Sequence, residues 1–262
     1  MEVMALLERA QSLKTHALTL TSQQKNEILA AMAQALERRT EEILAANRCD
    51  LQAARGHISE TMLDRLMLNP ARIQAMAQGL RALIALQDPI GAELSSVERP
   101  NGLMIRRVRV PMGVIAVIYE SRPNVTSDAA GLCLKSGNVC VLRGGREALA
   151  TNRAVVQALH DGLRCAGQPC ELVQLVEDTG REGALALMQA RGKVDLLIPR
   201  GGKGLIQACV EQAKVPCIET GTGICHIYVD SEADLAMALE IVDNAKTSRP
   251  SVCNAAEVCL VH

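Results

Sequence analysis

The order of apolar and polar positions changes character twice along the chain. Up to about residue 90 apolar residues recur at steps of three and four, with charges between them, as in "SQQKNEILAAMAQALERRTEEILAANRCDLQAAR" and "SETMLDRLMLNPARIQAMAQGLRALIAL". That period predicts amphipathic helices with one core-facing stripe each. Ser22 reads as an N-cap, Gly56 as a stop, and Asn69-Pro70 as a break. From Pro89 the pattern alternates, and "GAELSSVERPNGLMIRRVRVP" predicts a two-stranded ribbon over about 92–110 turning at "RPNG". Its second strand carries Arg106, Arg107 and Arg109. Such a ribbon reads either as an oligomer arm or as a solvated hairpin.

After the ribbon, short β-branched and almost wholly apolar runs alternate with helical ones. "GVIAVIY" (113–119), "VCVLR" (139–143), "LVQLVE" (172–177), "VDLLIP" (194–199) and "VPCIE" (215–219) predict five strands. Continuous apolar strands spaced by helices imply a parallel α/β sheet covered on both faces. A further strand, "CHIYV", and a helix, "ADLAMALEIVDNAKTS", follow. The expected division is N-terminal helices over 1–91, a ribbon arm over 92–111, a parallel α/β core over 112–220, and the start of a second α/β unit over 221–262.

Composition narrows the function classes. Of 262 residues 48% are hydrophobic and 22% charged, with a net charge of −1, which suits an ordinary globular protein and not a nucleic-acid binder. With two Tyr and no Phe or Trp, the core must be aliphatic. No run of about 18 uncharged apolar residues occurs, so no membrane span is expected. The first residues carry charges inside their apolar stretch, unlike a secretory signal. Ten scattered cysteines without a leader, without C-x-x-C and without zinc spacing read as reduced cytoplasmic thiols.

Ligands of parallel sheets bind beyond the carboxyl ends of the strands. There the sequence places "LRGGRE" (142–147) and "PRGGKG" (199–204), paired glycines beside basic residues at strand-to-helix transitions. Glycines let backbone amides approach a ligand, and helix N-termini favour anions, so two such loops suggest a phosphate-bearing cofactor; each alone is also an ordinary turn. Neither matches a dinucleotide fingerprint or a P-loop. "YESRPNVT" (119–126) sets Asn124 at a strand end, as an oxyanion donor or as a helix N-cap. "ETGTG" (219–223) sets Glu219 at the same edge. In "RPSVCNAAE" (249–257) a proline precedes Cys253 and two alanines leave room around it, so Cys253 is either a spacer or a nucleophile.

Taken together, "YESRPNVT", "LRGG", "IPRGG", "ETGTGICHIYVD" and "NAKTSRPSVCNAAE" occur in an order that resembles the gamma-glutamyl phosphate reductase family of the aldehyde dehydrogenase superfamily. The resemblance covers roughly 100–262, and the N-terminal helices fit it. It implies an NADPH-dependent reduction of L-glutamyl 5-phosphate to glutamate 5-semialdehyde in proline biosynthesis, in the cytoplasm. It further implies a homo-oligomer and functional coupling to glutamate 5-kinase. It makes Cys253 the nucleophile, Asn124 the oxyanion amide, and Arg143 the cation near the adenosine ribose. Gly144, Gly201, Gly202 and Lys203 fall in the cofactor loops. Glu219 matches the superfamily's glutamate, which here orients Cys253, relays a proton or lines the pocket. Cys225 and Cys259, inside strand patterns, are expected in the core. The superfamily's catalytic domain runs well over a hundred residues past its nucleophile, so the chain is expected to be a piece of a longer one. Two other readings stay open: an acylating semialdehyde dehydrogenase for a different side chain, and a dinucleotide-binding or scaffold module without turnover.

Overall fold

The computed structural model describes residues 2–219, 221, 223–248, 250 and 252–262. Thr220, Thr222, Arg249 and Ser251, all within the motifs around Glu219 and Cys253, lie outside the described residues. The chain divides into two compact units, Met1–Glu219 and Thr220–His262.

The first unit opens with six helices: α1 (Glu2–Ser12), α2 (Lys14–Thr19), α3 (Ser22–Arg38), α4 (Thr40–Ala54), α5 (Glu60–Leu66) and α6 (Pro70–Ala85). The cap of α3 is Thr21, not Ser22. Gln24 stands three residues after Thr21, and the two exchange side-chain and backbone bonds in a capping box. Ser22 instead begins the helix and donates its hydroxyl to Asp88. The long periodic run is interrupted at Arg39, where Thr40 turns its hydroxyl back to the Glu37 carbonyl. Asn69 caps α6, with Pro70 in the first turn where its missing N–H costs nothing.

Lys25, on the inner face of α3, is 1% exposed. Its ammonium bonds both carboxylate oxygens of Asp88, at 3.0 and 3.2 Å. Asp88 also accepts from the Ile90 amide, so one carboxylate neutralises a buried charge and fixes the chain leading into the ribbon. The ribbon itself comprises β1 (Glu93–Glu98) and β2 (Met104–Val108), antiparallel, with every residue exposed. Its turn closes with Arg99 N–H to the Leu103 carbonyl, and Gly102 takes the positive φ of +81° that only glycine adopts cheaply.

The sheet follows: β3 (Val114–Tyr119), β4 (Val139–Arg143), β5 (Val173–Leu175) and β6 (Leu196–Arg200), all parallel, in the order β5-β4-β3-β6. Between them run α7 (Pro123–Lys135), α8 (Leu149–Cys165) and α9 (Arg181–Gln189), and α10 (Lys203–Gln212) follows β6. The expected fifth strand at 215–219 reduces to one bridge, Leu197 to Cys217. Two prolines confine the ladder: Pro216 accepts from Leu197 N–H but has no N–H to extend it backwards, and Pro199 of β6 has none to extend it forwards.

An aliphatic core demands close approach. Ile28, Leu29, Met32 and Leu36 of α3 are fully or almost fully buried, and α3 lies against α6 and α8. At Gly162 of α8 a Cβ would come within 2.5 Å of the Met32 Cα, so glycine lets two backbones touch where an aromatic side chain would otherwise fill space.

The second unit has β7 (Cys225–Val229) and β8 (Ala256–Val261), parallel, joined by α11 (Leu235–Thr247). Asp234 caps α11 through the amides of Ala236 and Met237. Among its described residues only Val229, Ala255 and Ala256 are buried. Cys225 and Cys259 do sit in strands, but the expectation that they are core is corrected: Cys225 is half-buried and Cys259 exposed. Two strands and one helix have too little apolar cover to enclose them.

Candidate active site

The strand order reverses at β3. The chain steps outward from β3 to β4 to β5, then crosses back to place β6 on the other side of β3. In open α/β sheets the crevice beyond the carboxyl ends of the two strands at such a reversal is where ligands bind. Here that crevice is bounded by residues after Tyr119 and after Arg200. Gly202 caps α10, and its amide donates to a carboxylate oxygen of Glu120 at 2.8 Å. A Cβ on Gly201 would lie 2.7 Å from the Glu120 carboxyl carbon. Lys203 is the first residue of α10 and is exposed.

Asn124 lies in the first turn of α7. The N-cap is Arg122 and Pro123 fills the first helical position, so Asn124 does not cap the helix. Its side chain is exposed, and one Nδ2 hydrogen goes to Asp128 Oδ2, 3.0 Å away and one turn on. An amide nitrogen carries two hydrogens, so the same bond that orients the group leaves one for a ligand. Burial pushes the Asp128 carboxyl above its usual pKa, and the Asn124 bond acts against that rise.

Arg143 ends β4. Its Nη2 donates to the carbonyls of Thr179 (2.5 Å) and Gly180 (3.0 Å), beyond β5, and its Nε is buried without a partner. Among the described residues no carboxylate lies within ion-pairing distance of it. Burial, the largest influence, pulls the guanidinium below its usual pKa, and the fields of Asp178, Glu147 and Cys209 oppose that. This is a fixed, partly dehydrated cation at the carboxyl edge, suited to an anionic ligand.

Under the next loop runs a buried chain of bonds. Tyr119 Oη and Thr126 Oγ1 are 2.7 Å apart, and Thr126 donates to Asn152 Oδ1 at 3.0 Å. Asn152 Nδ2 lies against Gly144, where a Cβ would meet it at 2.1 Å. The end of β3, the start of α7 and the loop after β4 are therefore braced together. Glu147 adds a second brace, accepting from both the amide and the hydroxyl of Ser121.

Glu219 follows the Cys217 bridge and is exposed. Burial, its main cause, pushes the Cys209 thiol up to about 11 and raises that of Cys217 as well. In the second unit, Cys253 is exposed in the turn from Val252 to Ala255 that opens β8. Its carbonyl accepts a long 3.8 Å contact from Cys225 Sγ. Buried Ala255 and Ala256 anchor the turn from behind. Among the described residues no helix is long and apolar enough to cross a membrane, and no three His, Cys, Asp or Glu are grouped to hold a metal.

A parallel sheet with an anion-accepting amide at its reversal, and an exposed cysteine heading a later strand, describes many proteins. The sequence comparison decides among them, because the aldehyde dehydrogenase family profile matches residues 1–262. The chain belongs to the aldehyde dehydrogenase family. It is 59% identical over 242 residues to gamma-glutamyl phosphate reductase of Streptococcus suis, covering 92% of this chain and 59% of that protein. Against the Streptococcus pneumoniae protein of the same name it is 58% identical over 255 residues, covering 97% and 61%. The crystal structure of gamma-glutamyl phosphate reductase from Thermotoga maritima superposes with a TM-score of 0.93 at 43% identity, covering all of this chain and 64% of that one. The chain thus spans about three-fifths of the length of its curated relatives.

Seen as an aldehyde dehydrogenase fold, the first unit gathers Asn124, Arg143, Gly144, Gly201, Gly202, Lys203 and Glu219 at or just beyond the carboxyl ends of the strands. Cys253 belongs to the second unit. Sequence reading missed Glu120, Ser121, Glu147 and Asn152. Glu120 and Glu147 stand inside the quoted motifs "YESRPNVT" and "LRGGRE", one residue after a strand and two after a glycine pair, which was the available signal.

Proposed function

We propose that the protein acts as an NADPH-dependent gamma-glutamyl phosphate reductase, converting L-glutamyl 5-phosphate to L-glutamate 5-semialdehyde and phosphate in cytoplasmic proline biosynthesis. The observation that carries this reading is the 58–59% identity to proteins of that name, sustained over nearly the whole chain. The Cys253 thiolate attacks the acyl carbon, the C–O bond to phosphate breaks, and phosphate departs with its electron pair. Asn124 donates its remaining N–H to the oxyanion that forms at that carbon, helped by a backbone amide near Cys253. When bound, the dinucleotide would supply the hydride that reduces the resulting thioester, which stays held on Cys253. The oxyanion then collapses, the C–S bond breaks, and Cys253 leaves as thiolate while the aldehyde is released. Sulfur is the nucleophile this sequence needs, since its thioester accepts hydride where a carboxylate does not. Glu219 is not required to activate water, because water must be kept from the thioester; orienting Cys253, relaying a proton or lining the pocket are its remaining roles.

The cofactor assignment rests on the sheet reversal and its anion-accepting groups. Gly201, Gly202 and Lys203 would hold the diphosphate, and Gly144 belongs to the other glycine loop that would admit the dinucleotide. Arg143 would pair with the 2′-phosphate. Arg143→Ala is expected to weaken NADPH binding about tenfold while changing NADH binding by less than about twofold, as a lost charge-assisted bond predicts. Titration of both nucleotides checks this, and equal losses would remove Arg143 from recognition of the 2′-phosphate.

The ribbon supports a homo-oligomer. It leaves Leu94, Val97, Met104, Ile105 and Val108 exposed, and an isolated hairpin is marginal in water. Because an acyl phosphate hydrolyses readily, direct supply from glutamate 5-kinase suits this chemistry.

A further inference from the structure

The amide of Gly202 is the natural seat for a diphosphate at the sheet reversal, yet it already holds an anion. Glu120, half-buried and one residue past β3, sets a carboxylate oxygen 2.8 Å from it. A Cβ on Gly201, next door, would come 2.7 Å from the same carboxyl carbon, so the Glu120 side chain would have to shift to admit it. The second carboxylate of the crevice differs. Glu147 is tied to Ser121, which is 2% exposed, and so braces two loops from inside. Gly202 is exposed, and an incoming ligand reaches it from solvent.

We infer that Glu120 is an internal competitor for the cofactor's phosphate seat: in the free protein its carboxylate holds the Gly202 amide, and a dinucleotide binds only after displacing it. The inference rests on the dinucleotide reading above. Two anions cannot share one amide, and a carboxylate left beside the diphosphate repels it. The binding-competent state is then the fraction with Glu120 swung away, and apparent affinity falls by that fraction. Glu120 thereby trades cofactor affinity for an ordered loop in the free protein.

The test is calorimetric titration of the 262-residue chain with NADPH, using wild type, Glu120→Gln and Glu120→Ala. Removing a helix-capping carboxylate whose bond matches an ordinary N-cap is expected to tighten NADPH about fivefold in Glu120→Ala. The neutral amide of Glu120→Gln still accepts from Gly202, more weakly, and gives a smaller gain in the same direction. Both variants melt below wild type before NADPH is added. A purely structural cap predicts the opposite sign, since a loosened loop binds worse. Equal or weaker NADPH binding by the variants, with wild type binding, overturns the inference and leaves the dinucleotide reading intact. Should Glu120→Ala fail to fold, the sign of the Glu120→Gln change decides. Failure of wild type and variants alike to bind either NADPH or NADH overturns the dinucleotide reading, and this inference with it.

Discussion

In a chain of the relatives' full length, Cys253→Ser is expected to lower turnover at least about a thousandfold while NADPH binding stays within about twofold. Serine keeps the shape of the turn that opens β8 but supplies a hydroxyl that is scarcely ionised near neutral pH. The loss should therefore fall on kcat and not on cofactor affinity. Iodoacetamide gives the matching chemical result. Cys133, Cys140 and Cys209 are buried and should resist alkylation, whereas Cys49, Cys165, Cys253 and Cys259 are exposed. Labelling of Cys253 should track inactivation, with the other exposed thiols reacting without effect. Near-normal activity in Cys253→Ser, or inactivation that follows Cys217 or Cys225, would remove the covalent step.

Asp88→Ala should be the most damaging single change to the first unit among the ion pairs. It strands the Lys25 ammonium, 1% exposed, with no carboxylate, and breaking a buried pair from one side costs about 3–5 kcal/mol. The double variant Lys25→Met/Asp88→Ala should recover most of that, because it removes the uncompensated charge. Urea unfolding of the three chains checks both statements. Burial, the largest single influence, raises the Asp88 pKa, but bonds from Ile90, Lys25 and Ser22 together outweigh it and hold the group below its usual 3.8. Its folded pKa is depressed, so its contribution is complete above the unfolded value and disappears as pH falls through the folded one. Wild type should lose stability in acid more steeply than Asp88→Ala does. Parallel acid limbs would contradict the assignment.

The periodicity of the chain carried most of the fold, for reasons specific elements make plain. β3 and β4 read as strands because both faces are covered and almost every residue is apolar. The ribbon read correctly because its alternation and "RPNG" turn are local. What failed turned on single residues inside a pattern and on how much of the fold covers an element. Pro199 and Pro216 shortened the fifth strand to one bridge, a cost visible in the sequence but outweighed there by their apolar neighbours. Ser22 lost the cap to Thr21 because Gln24 completes a box with Thr21 alone. Cys225 and Cys259 looked like core because a strand pattern does not say how much covers the strand. At the candidate site, the paired glycines were picked out by their place after strands, and the role expected of Arg143 came from the family resemblance. Glu120 was not picked out, because its significance arises only when β6 is brought beside β3 across 82 positions of sequence.

The reaction assignment is tested most directly by the reverse reaction of a full-length chain. Glutamate 5-semialdehyde and NADP are supplied, and NADPH formation is followed with inorganic phosphate, with coenzyme A, or with neither. A thioester on Cys253 that is released by phosphate predicts NADPH formation that rises with phosphate, saturates, and is negligible in the other two conditions. Formation that proceeds equally without phosphate, or that requires coenzyme A, would contradict it.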